Sequence, residues 1–213
     1  RLAKLTYSAP TANPAARTDA PRAPPALSRK PIAADLNNPL STCAPSWENN
    51  VMSKTLIVMR HAKSSWDEPV EDKCRFLNER GRNGATALGD WMRRTALTPD
   101  EILCSSATRT QETADRLALD TPLTLNDALY MASSDVLMKH VQKARADMLL
   151  IVAHNPGIGE FAERLAKIAP NNPRFFNYPS GATTVFTCDI ADWSALHFHQ
   201  NTAAHFTTPH DLL

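Results

Sequence analysis

Two histidines and two arginines stand where an α/β chain could gather its chemistry. Arg60-His61-Ala62 follows the apolar run Leu56-Ile57-Val58-Met59, and His154-Asn155-Pro156-Gly157 follows another, Met148–Ala153. Between them, Glu101–Cys104 leads into Ser105-Ser106, with Arg109 in the turn beyond. Guanidinium forks match phosphate oxygens and stay charged when partly buried. A neutral imidazole is a competent nucleophile toward phosphorus. Neighbouring cations lower its pKa and keep it unprotonated at neutral pH. Arg60 and Arg109 would offset the charge of a phosphorylated His61, and His154 would donate to the equatorial oxygens of the transferring group. Backbone N–H groups at the helix start after His154 could add to this. Taken singly, each residue has a plainer reading: a salt-bridged strand edge, a turn histidine, a solvated helix face. Together they predict phosphoryl-group chemistry.

The elements that would position these residues alternate between strand and helix. Strands are expected at Leu56–Met59, Glu101–Cys104, Leu123–Leu125 and Met148–Ala153. Helices are expected at Asn78–Thr95, with Ala85, Leu88 and Met92 on one face, and at Thr108–Leu117. Two more are expected at Ser134–Arg145, opened by a Ser/Asp cap, and at Gly157–Ile168, stopped by Pro170. Thr183–Ile190 and Ala195–Gln200 read as a terminal hairpin turning near Asp192 and Trp193. The pattern predicts a three-layer α/β sandwich with a mostly parallel central sheet and one antiparallel addition. In such sheets ligands sit beyond the carboxyl ends of the strands, where all three motifs fall.

Composition narrows the alternatives. The 213 residues carry 23 Lys plus Arg against 22 Asp plus Glu, a formal net charge of +1. That balance gives no support to nucleic-acid binding through bulk charge. No apolar run approaches the ~20 residues of a membrane span, so no membrane partner is expected. Cys43, Cys74, Cys104 and Cys188 form no C-x-x-C pair, which argues against a zinc site or a disulfide framework. Residues 1–51 hold 8 of the 16 prolines and none of the 6 glycines. They are expected to be a disordered Pro/Ala-rich extension, with a single domain over residues 52–213. The extension reads either as upstream sequence included by a mistaken start or as a transit-like segment. A cytoplasmic location is expected on the first reading and an organelle on the second.

In this setting the chain resembles the histidine phosphatase superfamily, also called phosphoglycerate-mutase-like. Arg60-His61-Ala62 is similar to its RHG/RHA signature. Ser105-Ser106-Ala107-Thr108-Arg109-Thr110-Gln111-Glu112-Thr113-Ala114 is similar to its Ser…Arg…Thr-Ala segment, and His154-Asn155-Pro156-Gly157 to its second histidine. Within that superfamily it resembles the small SixA-type phosphohistidine phosphatases. That likeness rests on Arg60–Trp66, Arg75–Gly81, Pro179-Ser180-Gly181-Ala182 and the closing Phe206…Pro209-His210-Asp211-Leu212. It covers nearly all of residues 54–212. The resemblance implies a minimal phosphoglycerate mutase-like fold without a helical insertion. It implies His61 as the phosphorylated nucleophile, with Arg60, Arg109 and His154 binding the phosphoryl group. No metal or organic cofactor is implied. Where the family usually has Asp-Arg-Pro-Leu, this chain has Cys74-Arg75-Phe76-Leu77. Two readings of Arg75 therefore stand: a substrate-binding residue, as in SixA-like proteins, and a surface arginine.

The general acid separates the possible substrates. A phosphate ester needs a proton for its alkoxide, and no clear donor is visible. Asn155 stands where many relatives carry Glu. Asp67, Glu68, Glu71 and Asp72 read first as a solvated acidic loop, although one could reach the pocket. An imidazole leaving group, with a conjugate acid near 6.5, needs little help. The expected function is hydrolysis of phosphohistidine on a partner protein. The rivals are a phosphatase of sugar or nucleotide monophosphates and a non-catalytic phosphate-binding module. Trp66 reads equally as pocket rim and as packing, and Trp91 and Trp193 as packing. His140 reads as a partly buried packing residue. His197 and His199 would share a strand face without a third metal ligand.

Overall fold

Three short runs rich in Ile, Leu and Val pair as the covered middle of a sheet, and a fourth, shorter run with exposed leucines takes its edge. In the computed structural model, which describes residues 53–213, they are β1 (Lys54–Arg60), β2 (Glu101–Ser105), β3 (Leu123–Asn126) and β4 (Met148–Ala153). With β5 (Thr183–Cys188) and β6 (Thr202–Thr207) they form one six-stranded sheet in the order β3-β2-β4-β1-β5-β6. The first four strands of that order run parallel, β5 is antiparallel to β1, and β6 is antiparallel to β5. The expected extension over residues 1–51 lies outside the described residues.

Alternate side chains of β1 feed two cores. Ile57 and Met59 pack with Leu88 and Met92 of α1 (Glu79–Arg94) and Leu117 of α2 (Thr108–Leu117). Leu56 and Val58 pack with Leu137 of α3 (Ser134–Val141) and with Phe161 and Leu165 of α4 (Gly157–Leu165). The result is the expected three-layer sandwich. The Asn78 side chain accepts from the Gly81 N–H and opens α1, which satisfies one of the orphan donors of its first turn.

Three boundaries differ from the sequence expectation. The helix expected over residues 134–145 ends at Val141, because the N–H groups of Lys143 and Ala144 reach back only three residues, in a turn. The helix expected over residues 157–168 ends at Leu165, whose carbonyl accepts from the Asn201 side chain. The last strand is Thr202–Thr207 rather than residues 195–200. Trp193 and Leu196 are fully buried, and the Trp193 indole donates to the Ala146 carbonyl at 2.6 Å. The chain between β5 and β6 therefore wraps into the core instead of turning tightly. His197 and His199 accordingly share no strand face, and among the described residues no three potential metal ligands cluster. His140 is half-buried, as expected.

Candidate active site

Strand register brings the motifs together. Arg60 of β1 is the parallel partner of Ala153 of β4, so His61 and His154, each one residue further on, emerge side by side. The His61 N–H donates to the Ala153 carbonyl at 3.1 Å, and the two imidazole centroids lie 5.2 Å apart. Strand β2 flanks β4 on its other side, and the Ser105 hydroxyl at its end lies 2.8 Å from His154 Nε2. Arg109, in the first turn of α2, completes the cluster, with its Nε donating to His61 Nε2 at 3.3 Å. A cavity of about 330 Å³ opens on Arg60, His61, Arg75, Arg109 and His154. All five residues picked out from the sequence therefore line one pocket.

The tautomer of His61 follows from its partners. Nδ1 lies 2.7 Å from the Ala62 carbonyl oxygen, which can only accept, so Nδ1 carries the proton. Nε2 then keeps its lone pair, and this is the atom that Arg109 faces. Burial pushes the His61 pKa down to about 3; the Ala62 hydrogen bond opposes that shift, and His154, Arg109 and Arg60 add to it. His154 is held at about 4, first by burial and then by Arg109. Both rings are neutral at pH 7.

Arg60 is held from below. Its Nη1 donates to the Tyr178 carbonyl at 2.9 Å, and the Asn155 amide donates to the same oxygen at 3.1 Å. The Tyr178 hydroxyl in turn donates to the Val58 carbonyl at 2.9 Å. Gly181, at φ 77°, turns the chain so that its N–H donates to the His61 carbonyl, a conformation that favours glycine. Three polar atoms here are buried without a partner among the described residues: Arg60 Nε, His154 Nδ1 and Asn155 Oδ1. Unpaired buried polar atoms are costly and call for an explanation. Of the three, Arg60 Nε and a protonated His154 Nδ1 can donate to an anion, whereas Asn155 Oδ1 can only accept.

Asp67, Glu68 and Glu71 are exposed, as expected of a solvated loop, whereas Asp72 reaches the pocket and Arg75 departs from the surface reading. Asp72 lines the pocket. Its carboxylate accepts from Arg109 Nη2 at 2.8 Å, from the Tyr130 hydroxyl at 2.7 Å and from Arg75 Nη1 at 3.0 Å. Hydrogen bonds from Tyr130, Arg109 and Arg75 hold it down to about 2. Arg75 is buried, donates to the Ser65 carbonyl and the Ser64 hydroxyl, and carries the exposed Trp66 ring 3.2 Å from its guanidinium carbon. The acidic partner that the motif lacks at position 74 is supplied three residues before the arginine. Ser105 was read as part of its motif but without a partner, and Tyr130 escaped the sequence reading. Tyr130 stands 21 residues beyond Arg109, the pocket residue nearest before it in the chain, and belongs to no motif, so no spacing signalled it. The i, i+3 Asp72–Arg75 pairing could have been noticed.

Comparison with known proteins agrees with this geometry. A family model described as histidine phosphatase superfamily (branch 1) matches residues 56–130. An uncharacterized protein of Mycobacterium leprae is 35% identical over 121 residues, which span 54% of this chain and 74% of that protein. The structure named provisionally as the phosphohistidine phosphatase SixA of Nakamurella multipartitia superposes with a TM-score of 0.66 at 25% identity, covering 74% of this chain and 96% of that one. The protein histidine phosphatase SixA complexed with tungstate shares the fold, with a TM-score of 0.61 at 18% identity over 75% of this chain and 99% of that one. With its motifs, register and pocket in agreement with these matches, the chain belongs to the histidine phosphatase superfamily.

Proposed function

We propose that this protein is a phosphatase that removes phosphate from phosphohistidine on a partner protein, without a metal, through a covalent phospho-His61 intermediate. The observation that carries this reading is the state of His61: a neutral ring whose Nδ1–H is fixed on Ala62 and whose Nε2 lone pair faces Arg109. In the first step the Nε2 lone pair forms a bond to phosphorus as the substrate's P–N bond breaks. The electron pair leaves on the substrate imidazole, whose other nitrogen takes up a proton from solvent, so a neutral ring departs. In the second step water attacks phospho-His61, the P–N bond breaks, and phosphate is released. Arg60 and Arg109 offset charge on the equatorial oxygens throughout, and a phosphoryl oxygen would satisfy His154 Nδ1.

The leaving group favours phosphohistidine over an ester. The carboxylate at this pocket, Asp72, is held ionised by Arg109, Arg75 and Tyr130, and an ionised group cannot donate the proton an alkoxide requires. Asp72 also supports the second reading, a phosphatase of small phosphate esters. A substrate that displaced it from Arg109 would leave a carboxyl group beside the leaving oxygen.

The test compares phosphate release by the full chain, in the presence of a chelator, from a phosphohistidine-bearing protein and from sugar and nucleotide monophosphates. The expected result is a strong preference for phosphohistidine, undiminished by the chelator, with an acid-labile phosphoenzyme that His61→Ala abolishes. Turnover retained in His61→Ala would remove the covalent mechanism. Faster hydrolysis of an ester would establish the second reading.

A further inference from the structure

The pocket around His61 is not the largest recess on this protein. Beside it lies a groove of about 690 Å³, and Lys63 and Ser180 line both cavities, so the two adjoin. Its lining includes Pro179, Pro209 and Leu213, and its basic residues besides Lys63 are Arg80, Arg174 and His210. No aspartate or glutamate lines it. The four basic residues come from four places in the chain: the loop after β1, the first turn of α1, the segment before β5, and α5 (Pro209–Leu212). Lys63 and Arg80 are exposed and have no ion-pair partner among the described residues, whereas Arg174 is paired with Asp211 at 2.7 Å.

This concentration of positive charge is not a property of the whole surface. Residues 53–213 hold 17 Lys plus Arg and 19 Asp plus Glu, a balance of −2. A cationic groove on a slightly acidic domain focuses its field locally and selects for a partner of opposite sign. A phosphoryl group is accommodated by the smaller pocket alone. The adjoining groove, lined by apolar and basic residues together, is left for whatever carries that group.

We propose that the groove docks an acidic polypeptide segment flanking the phosphorylated histidine of the substrate protein. This rests on the phosphohistidine reading of the site and adds a sequence preference to it. The phosphoryl group enters at His61, the chain crosses Ser180 and Lys63, and its carboxylates meet Arg80, Arg174 and His210.

Arg80→Glu tests the proposal without touching the residues that hold phosphate. Arg80 makes no hydrogen bond or ion pair among the described residues, and a carboxylate in the first turn of a helix suits the helix dipole. Three substrates are compared with the full chain: a phosphohistidine peptide flanked by glutamates, the same peptide flanked by lysines, and phosphoramidate. Wild type is expected to prefer the glutamate-flanked peptide by about tenfold in kcat/KM at low salt. Arg80→Glu is expected to erase most of that preference through KM, by roughly fivefold for one exposed ion pair replaced by repulsion. Phosphoramidate turnover stays unchanged. Arg174→Gln, on a different element, is expected to act in the same direction. A glutamate preference that both variants leave intact would overturn the proposal. Fluorescence anisotropy of an unphosphorylated glutamate-rich peptide, read against wild type and Arg80→Glu, needs no turnover. Binding that weakens in Arg80→Glu supports the groove even if phosphohistidine proves not to be the substrate, and binding that Arg80→Glu leaves unchanged overturns it.

Discussion

At the scale of single residues, Asp72 offers an internal anion to the guanidinium that would meet the substrate's phosphate. Its carboxylate engages Arg109, Arg75 and Tyr130 together. A phosphate entering the pocket competes with it for Arg109, because charge-assisted forks bind either oxyanion. Asp72→Asn is therefore expected to tighten binding of tungstate, a phosphate analogue, by roughly threefold to tenfold. That range corresponds to about 1 kcal/mol for a half-exposed ion pair. Calorimetric titration checks it, and weaker binding would mean that Asp72 chiefly holds Arg75 and Arg109 in place. Arg60, His61, Arg109 and His154 were legible in the sequence because each follows or opens a regular element, whereas Arg75 came only from the family resemblance. Asp72 and Tyr130 were not, because nothing in a polar loop or an isolated tyrosine says which way a side chain will turn.

At the scale of elements, close backbone approach fixes the histidines. Gly157 begins α4 just after His154, and a Cβ built on it would fall on the Ala132 carbonyl oxygen. Gly157→Ala must push the start of α4 away from the segment before α3, and His154 moves with it. Overpacking of this kind costs about 1–3 kcal/mol or more. The expected outcome is a lower urea midpoint together with a kcat loss larger than that of an equally destabilised variant far from the pocket. Leu196→Ala, in the buried wrap between β5 and β6, supplies that control, at about 2–5 kcal/mol. The elements before residue 130 matched their expected bounds closely, because strongly periodic segments declare themselves. The chain after β5 did not. Leu196-His197-Phe198-His199 alternates and residues 202–207 do not, yet the burial of Trp193 and Leu196 assigns the first to the core wrap and leaves the second to the sheet.

At the scale of the whole molecule, two neutral buried histidines make stability depend on pH. An unfolded imidazole titrates near 6.5, whereas His61 and His154 are held at about 3 and about 4 in the fold. Between those limits the unfolded chain binds more protons than the folded one, so stability rises with pH through this window and levels off above it. Asp72 acts with the same sign lower down: its contribution is present above the ordinary carboxylate pKa near 3.8 and is lost as pH falls toward 2. The urea midpoint is expected to be lower at pH 5 than at pH 7.5. His61→Gln, which removes one titrating ring, is expected to show a shallower dependence. A midpoint that is flat between pH 5 and 7.5 in the wild type would mean that these rings titrate normally.

The sequence by itself determined the alternation of strands and helices, the parallel sheet, and the set Arg60, His61, Arg109 and His154, because periodicity and strand-end position are local properties of the chain. Tertiary structure decided the rest. The β1–β4 register set the two histidines side by side, since neither strand encodes its partner. The Ala62 carbonyl and the surrounding burial chose the tautomer and neutral state of His61, since a pKa belongs to an environment. Folding also brought Lys63, Arg80, Arg174 and His210 around one groove from segments up to 147 residues apart, and such a convergence is written in no stretch of sequence.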